Sequence, residues 1–317
     1  MATSSLTALR ASEARILVPL DGSTRAERAL PIAQRLALAL HRPLLLARII
    51  PLVSALLAAP GAPVEPAVYQ QLMDDELAEA HTYLTDQGRA LRRQQVEVET
   101  VVNRGDPATA LLDLCAERSV GLIVMTTHGR TGLARAALGN VADRLVRASL
   151  LPVLMTPAAE DHDEQSLCRA LNHIVIPLDG SPVAETALPV ANALAGVMAH
   201  EITLLQVISY TADASERLAV SHYLAAQAQS MQGSLAGRDC QIATAIREGV
   251  VPSEKIVQFA EDCNCLVVMA THGRSGFRRL TLGSVAAEVI HGSRLPVLVT
   301  RPTSPGNKSD GEQRSDS

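Results

Sequence analysis

Hydrophobic residues occur along the chain in short runs that alternate with amphipathic stretches. The runs are rich in Leu, Ile and Val and lack strict alternation; in the first half they are RILVPL from residue 15, PLLLARII from 43, VEVETVV from 96, VGLIVMTT from 120 and LPVLMT from 151. Such runs are typical of strands covered on both faces of a parallel sheet. The stretches between them predict helices, and the order β-α-β-α-β-α-β-α-β favours a doubly wound α/β domain.

The same pattern occurs twice in the 317 residues. The segment ILVPLDGS from Ile16 returns as IVIPLDGS from Ile174, and MTTHGRTGLARAALGN from Met125 returns as MATHGRSGFRRLTLGS from Met269. The separation shortens from 158 to 144 residues, so the first copy holds about 14 extra residues. We assign them to the Pro- and Ala-rich segment 51–66, because it has no clear period.

The repeat predicts two doubly wound domains, each a five-stranded parallel sheet with helices on both faces. The first domain is predicted at residues 15–157 and the second at 172–301, each the size of a typical single domain. The remaining residues are an N-terminal tail (1–14), a linker (158–171) and a C-terminal tail (302–317). Polar and acidic composition predicts that residues 157–166 are mobile or disordered and that the C-terminal tail is disordered.

Capping residues mark the predicted start of the first helix in each domain. Thr24 and Glu27 have the spacing of a capping box, and Ser181 is the predicted N-cap in the second domain. Pro31 and Pro189 fall inside these helices, so both helices are expected to bend in the same way.

Composition narrows the classes of function. A net charge of −5, no Trp, two Phe and four Tyr disfavour nucleic-acid binding, because a basic field and stacking platforms are both missing. Five cysteines are too few and too uneven for a disulfide framework, and Cys263-Asn-Cys265 lacks a second pair that would favour a metal or redox site. With no apolar run of about 18 residues and no secretion signal, the sequence predicts a cytoplasmic protein without a membrane segment.

In doubly wound sheets, ligands bind beyond the carboxyl ends of the strands, where the winding order reverses. Asp21 and Asp179 follow the first strand of each domain, and Gly105 and Gly249 follow the third. The glycine-rich loop follows the fourth strand. We expect these three segments to converge in each domain.

The glycine-rich loop has features of an anion site. Gly129 and Gly132 permit positive φ and a close ligand approach, Arg130 supplies a cation, and Gly139 with Asn140 opens a helix. The same roles fall in the second domain to Gly273, Arg274, Gly276, Gly283 and Ser284. Asn140 and Ser284 are equally ordinary helix N-caps, and glycines serve turns alone, so the spacing leaves phosphate binding and a structural role both open.

Catalytic chemistry finds less support. His128 and His272 precede the loop glycine, but neither a nucleophile, a carboxylate pair nor metal-ligand spacing is shared around them, which favours a structural hydrogen bond. There is no Gly-x-Gly-x-x-Gly after the first strand and no Gly-Lys-Ser/Thr phosphate loop. We therefore predict that the protein is not an enzyme, with a weak ATPase left open.

The motifs resemble the universal stress protein family, as a tandem pair that covers nearly all of the chain outside the tails. They are VPLDGS, GDPA, and THGR followed by eight residues and Gly-Asn or Gly-Ser. Nucleotide-binding members have glycine, two residues, glycine, nine residues, then glycine and a small hydroxyl residue. The middle glycine corresponds to Gly129 or Gly273 and the last to Gly139 or Gly283, with Ser284 keeping the hydroxyl.

The resemblance implies ATP, with or without Mg²⁺, as the ligand of a stress-response or regulatory protein. It implies that the aspartates face adenosine, that Ile49 and Val207 line the adenine pocket, and that Gly105 and Gly249 lie under the ribose. Adjacent residues of the same segments complete the implied set: Met125 and Val141 in the first domain, and Pro177, Leu178, Met269 and Val285 in the second. The alternatives are an interaction protein of the same fold without a nucleotide, and a slow ATPase or phosphotransferase.

Both domains depart from the family pattern at the first glycine. Thr126 and Ala270 stand in its place, and Asn140 replaces the hydroxyl residue. Alanine leaves room for a ligand, whereas threonine is β-branched and tolerates positive φ poorly. The second domain is therefore predicted to hold the better nucleotide site.

The resemblance also implies that the last strand of one domain pairs with that of a neighbour. The segments LLPVLMT and RLPVLVT are apolar edge strands that would otherwise expose unpaired backbone groups. We predict that they pair within one chain as an internal pseudo-dimer, and that a homodimer of two chains stays open.

Overall fold

A computed structural model of the protein describes residues 14–51, 66–127, 138–158, 163–271 and 282–301. The predicted alternation of strands and helices is present in both halves. The first half contains β1 (Arg15–Pro19), α1 (Thr24–Glu27), α2 (Leu30–Leu40), β2 (Leu44–Ile50), α3 (Pro66–Arg92), β3 (Val98–Arg104), α4 (Pro107–Glu117), β4 (Val120–Thr126), α5 (Asn140–Ala148) and β5 (Val153–Thr156). Most of the segment 51–66 and both chain ends lie outside the described residues.

The second half repeats this order after one additional helix. It contains α6 (Glu164–Ala170), β6 (His173–Pro177), a short 3-10 helix (Ala184–Ala187), α7 (Leu188–Leu194), β7 (Glu201–Ile208), α8 (Ala214–Ser234), β8 (Gln241–Glu248), α9 (Pro252–Cys263), β9 (Leu266–Ala270), α10 (Ser284–Gly292) and β10 (Val297–Thr300).

All ten strands form one sheet in the order β3-β2-β1-β4-β5-β10-β9-β6-β7-β8. The pairs within each half are parallel, which confirms the doubly wound fold, and the winding reverses between β1 and β4 and between β6 and β9. The two halves meet where β5 pairs antiparallel with β10, with Leu154 opposite Leu298. The predicted pairing of the last strands within one chain is therefore observed.

Burial explains why the strand runs lack alternation. Every residue of β4 is buried, because helices cover both faces of the central strands. The outer strand β8 instead mixes exposed and half-buried residues, as an edge position allows. The core is made almost entirely of aliphatic side chains.

The first helix begins differently from the prediction. Ser23, not Thr24, is the N-cap, and its Oγ accepts a hydrogen bond from the amide of Ala26 at 3.2 Å. The predicted capping box is wrong because Glu27 is used elsewhere: its Oε1 accepts a hydrogen bond from the hydroxyl of Tyr83 at 2.9 Å.

Pro31 and Pro189 lie at the start of a second helical segment rather than inside one continuous α-helix. The first helix stops at Glu27 and resumes at Leu30, which places Pro31 in the first turn of α2. Pro189 likewise lies in the first turn of α7, after the 3-10 helix. Proline lacks an amide hydrogen, and the first turn is where a helix does not need one.

Part of the predicted mobile linker is a helix. Asp163 caps α6 by accepting hydrogen bonds from the amides of Gln165 and Ser166 at 3.1 and 3.2 Å. Leu167 and Ala170 are buried, and this burial stabilises a segment whose polar composition predicted disorder. The expectation of mobility is therefore wrong for residues 164–166, which form the first turn of this helix.

All five cysteines are free thiols, and they differ in burial. Cys115 and Cys265 are buried, and burial raises the pKa of the Cys115 thiol to about 12. Cys263 is exposed at the end of α9. Within the described ranges, no cluster of three His, Cys, Asp or Glu side chains is arranged to hold a metal ion, and no helix is long and apolar enough to cross a membrane.

Candidate functional site

A cavity of about 240 Å³ lies at the carboxyl ends of β6, β7 and β9, where the winding of the second half reverses. The structure brings eight of the predicted second-domain residues to its wall: Pro177, Leu178, Asp179, Val207, Met269, Gly283, Ser284 and Val285. Seven further residues line it that the sequence analysis did not select as site residues: Ala184, Leu205, Pro252, Ile256, Ala270, Thr271 and Ala286. Except for Asp179, Thr271 and Ser284, the wall is apolar or glycine.

Asp179 is held at the end of β6 by a tight turn. Its Oδ1 accepts hydrogen bonds from the amide and the hydroxyl of Ser181 at 2.9 and 2.6 Å. Gly180 between them has a φ of 81°, a left-handed conformation that favours glycine. Asp21 repeats this arrangement with Ser23 at the same two distances. The sequence LDGS therefore positions a carboxylate at the strand end in each half.

The helix α10 opens into the cavity without a side-chain cap. Gly283 is its N-cap, in extended backbone with φ −63° and ψ 148°, and among the described residues no side chain caps it. The amide of Gly283 donates to the carbonyl of Thr271 at 2.7 Å, which ties the helix start to the end of β9. The following amides, beginning with Ser284, have no acceptor within the helix. These donors and the exposed Ser284 hydroxyl can bind an anionic group.

The first half has the same arrangement at α5. Gly139 is the N-cap with φ −60° and ψ 145°, and its amide donates to the carbonyl of Thr127 at 2.9 Å. Asn140 and Ser284 are thus the first helical residues, and the interpretation of these side chains as N-caps is wrong. Met125 is buried in β4, and Val141 is half-buried in α5.

Thr126 and Ala270 differ in size but not in backbone strain. Both are the last residues of buried strands, and each is 5% exposed. Among the described residues, positive φ outside glycine occurs at four other positions, so nothing here requires a left-handed backbone of Thr126. The objection to threonine from positive φ is therefore wrong, and the remaining difference is that Ala270 lines the cavity with a smaller side chain.

Gly105 and Gly249 join the third strand of each half to the second. Their amides donate to the carbonyls of Ile50 and Ile208 at 2.9 and 3.0 Å. Gly249 does not belong to the residues that line the cavity, and a Cβ at this position would lie 2.5 Å from Cγ of Lys255.

The two halves differ in the residues that follow these glycines. Asp106 caps α4 by accepting from the amide of Thr109 at 3.0 Å, and it also accepts from Nη1 of Arg144 in α5 at 2.7 Å. The hydrogen bond from Arg144, with those from Thr109, lowers the pKa of Asp106 to about 2. Val251 is the corresponding N-cap of α9, and within the described part of the chain no side chain caps that helix. Sequence comparison at a constant separation missed this difference, because the second half has one more residue between glycine and proline.

Ile49 is half-buried near the end of β2, at the position that Val207 holds in the second half. The remaining predicted site residues lie outside the described residues: Gly129, Arg130 and Gly132 in the first loop, and Gly273, Arg274 and Gly276 in the second. The same is true of His128 and His272.

Comparison with a solved structure agrees with this fold. The crystal structure of a universal stress protein from Archaeoglobus fulgidus superposes with a TM-score of 0.70 and covers 90% of this chain and 98% of that one, at 18% identity. At that identity the likeness concerns the fold alone.

Sequence comparisons extend the likeness to the family. A universal stress protein of Mycobacterium tuberculosis is 30% identical over 219 residues, which is 66% of this chain and 70% of that protein. One of Mycolicibacterium smegmatis is 25% identical over 302 residues, which is 92% of this chain and 98% of that protein. The model of the universal stress protein family matches residues 14–157 and 170–301. The chain therefore belongs to the universal stress protein family, as a member with two tandem domains.

Proposed function

We propose that this protein is a regulatory nucleotide-binding protein whose second domain binds an adenine nucleotide, ATP in the first place. The observation that carries the proposal is the cavity at the reversal between β6 and β9, which combines apolar walls with an uncapped helix start. Ligand sites of this kind are mostly apolar with a few convergent polar groups.

The lining suggests how the parts of the ligand would be placed. The apolar side chains of Val207, Ile256 and Met269 provide a surface for the flat adenine ring. Asp179 offers a carboxylate oxygen to a ribose hydroxyl or to the adenine amino group. The phosphates would lie at the mouth, where the amides of Ser284 and Val285 begin α10 and favour negative charge.

The cavity volume fits this division of the ligand. About 240 Å³ is slightly below the roughly 300–1,000 Å³ of sites that enclose a drug-sized ligand. The nucleoside would therefore be enclosed, and the phosphates would remain at the surface beside the exposed Ser284. A Mg²⁺ ion bound with ATP would be held mainly by phosphates and water, as is usual for this ion.

The first domain is proposed as the weaker site. Thr126 occupies the place of Ala270, and Asn140 that of Ser284, so a ligand there would meet a larger side chain at the strand end and a longer phosphate donor. We place the protein among ligand-controlled regulators rather than enzymes, and we expect it to act in the cytoplasm, as the family resemblance implies.

The proposal is tested by identifying the small molecules released from the purified protein by mass spectrometry, followed by calorimetric titration with ATP. Gly283→Val should abolish binding at the second site, and Gly139→Val is the matched control in the first domain. We expect an adenine nucleotide that the Gly283 variant loses and the Gly139 variant keeps. Absence of any nucleotide binding by the wild type would favour the interaction protein without a ligand, and ATP turnover that Gly283→Val removes would favour the slow ATPase.

A further inference from the structure

The antiparallel pairing of β5 with β10 places the two candidate sites at opposite edges of the sheet. Val153 lies opposite Val299 and Met155 opposite Val297, so the carboxyl edge of the first half adjoins the amino edge of the second. The helix α10 has nine residues and spans about 13 Å. It begins at the cavity of the second half and ends beside Leu138, at the start of α5 in the first half.

A hydrogen bond joins the end of this helix to the other half. Nε2 of His291 accepts a hydrogen bond from the backbone amide of Leu138 at 3.0 Å, across 153 positions of sequence. Leu138 directly precedes Gly139, the N-cap of α5. A side chain of the second domain therefore holds the backbone at the helix start that forms the candidate anion site of the first domain.

A second hydrogen bond between the halves involves an arginine side chain and a backbone carbonyl. Nη1 of Arg301 donates to the carbonyl of Arg147 at 3.1 Å, at the carboxyl end of α5. Arg301 follows Thr300, whose carbonyl accepts from the amide of Thr271 in the cavity wall at 2.9 Å. Arg147 occupies the position that corresponds to His291, but its Nε donates to Asp143 of its own helix at 2.8 Å. Among the described residues, a side chain at this helix position therefore contacts the helix start of the other half in one direction, from His291 to Leu138.

We propose that His291 is a positioning residue for the first site and that α10 couples the two sites through it. An anion at the amino end of a helix stabilises the first turn of that helix. Because helix formation is cooperative, a ligand bound beside Ser284 stabilises α10 as far as His291 and, through it, the position of Leu138. Coupling of this kind is reciprocal: a ligand in the first site also strengthens binding in the second. The ligand at the second site is the nucleotide of the proposed function, on which this part of the inference rests.

The amide of Leu138 reports the link directly. We would measure its hydrogen exchange by NMR in the full chain, with and without ATP, in the wild type, His291→Leu and His291→Gln. Loss of one hydrogen bond should speed the exchange of Leu138 about two- to tenfold in His291→Leu, and the glutamine oxygen should restore part of the protection. ATP should slow this exchange about two- to fivefold in the wild type and not in His291→Leu.

Arg147→Leu is the matched control, because it changes the corresponding position of α5 and leaves the acceptor of Leu138 in place. Its Leu138 exchange should equal that of the wild type. An exchange rate in His291→Leu equal to the wild-type rate would overturn the positioning role, and an ATP effect that persists in that variant would overturn the coupling. The thermal shift with ATP on the same samples shows separately whether the nucleotide binds. If it does not bind, the proposed function fails, and the exchange rates measured without ATP still decide the role of His291.

Discussion

Replacing Ala270 by threonine introduces into the second cavity the residue that the first half carries at the corresponding position. Ala270 is the last residue of β9, is 5% exposed, and lines the cavity. Threonine suits this extended position, since Thr126 ends β4 in the same way. The substitution should therefore preserve the fold and reduce the space for a ligand.

The expected loss follows from overpacking. Extra heavy atoms forced into a fitted site cost about 1–3 kcal/mol, which weakens ATP binding at least about fivefold. ATP at 100 times its Kd stabilises the folded state by about 2.7 kcal/mol, and a tenfold weaker affinity at the same concentration leaves about 1.4 kcal/mol. For a domain of this size the difference corresponds to about 3–5 °C in Tm.

Differential scanning fluorimetry with and without ATP measures this quantity. Ala270→Thr should lose about half of the ATP-dependent shift while its Tm without ATP changes little. Thr126→Ala is the complementary variant and should gain binding at the first site. A full ATP shift in Ala270→Thr, or no gain in Thr126→Ala, would show that side-chain size at this position does not distinguish the two pockets.

Three other expectations concern single positions. Ser284→Ala should cost about 1.5 kcal/mol or more of ATP binding in calorimetry, because it removes a donor to a charged group, whereas Asn140→Ala should cost little; equal losses would contradict the ranking of the sites. The pKa of Asp106 is lowered to about 2, so its link to Arg144 should persist from neutral pH down through the ordinary pKa near 4 and be lost as pH falls through about 2; NMR titration should show this, with Arg144→Leu raising the midpoint. Gly180 has a φ of 81°, so Gly180→Ala should destabilise the second domain by about 1–2 kcal/mol, and an unchanged urea midpoint would refute the strain argument.

The repeat and the strand runs were sufficient to predict the sheet. A strand such as β4 is buried on both faces, so its sequence must be apolar throughout, and this constraint is visible without coordinates. The cap at Ser23 was missed for a local reason. Ser23 and Thr24 are adjacent hydroxyl residues, and the hydrogen bonds that Ser23 donates to Asp21 and accepts from Ala26 decide between them.

The two halves differ by one extra residue in each, at different places. These two differences cancel in the overall separation, so they concealed which residues near the site correspond. The second half has one more residue before Pro252, and the first half has one more at Gly121, where the register of β1 and β4 shifts between Arg15 and Ile16. The separation of 144 residues is restored at Leu122, which corresponds to Leu266, so a comparison at constant separation mismatches the residues between Gly105 and Leu122. Cys265 therefore corresponds to Val120: each directly follows a residue with positive φ, Asn264 and Ser119 respectively. The contact of His291 with the other half had no sequence signal, because it depends on the antiparallel pairing of the halves.

Joining the two units in one chain permits the sites to differ. In a dimer of identical single-domain chains, every substitution appears in both sites, because the interface is isologous. Here Ala270 and Ser284 line the second cavity, whereas the larger Thr126 and Asn140 hold the corresponding positions in the first half. The pairing of β5 with β10 covers both apolar edge strands regardless of which site holds a ligand. The tandem arrangement therefore allows the second half to be adapted to a ligand independently of the first. The first half still contributes β5 to the shared sheet and receives the contact from His291.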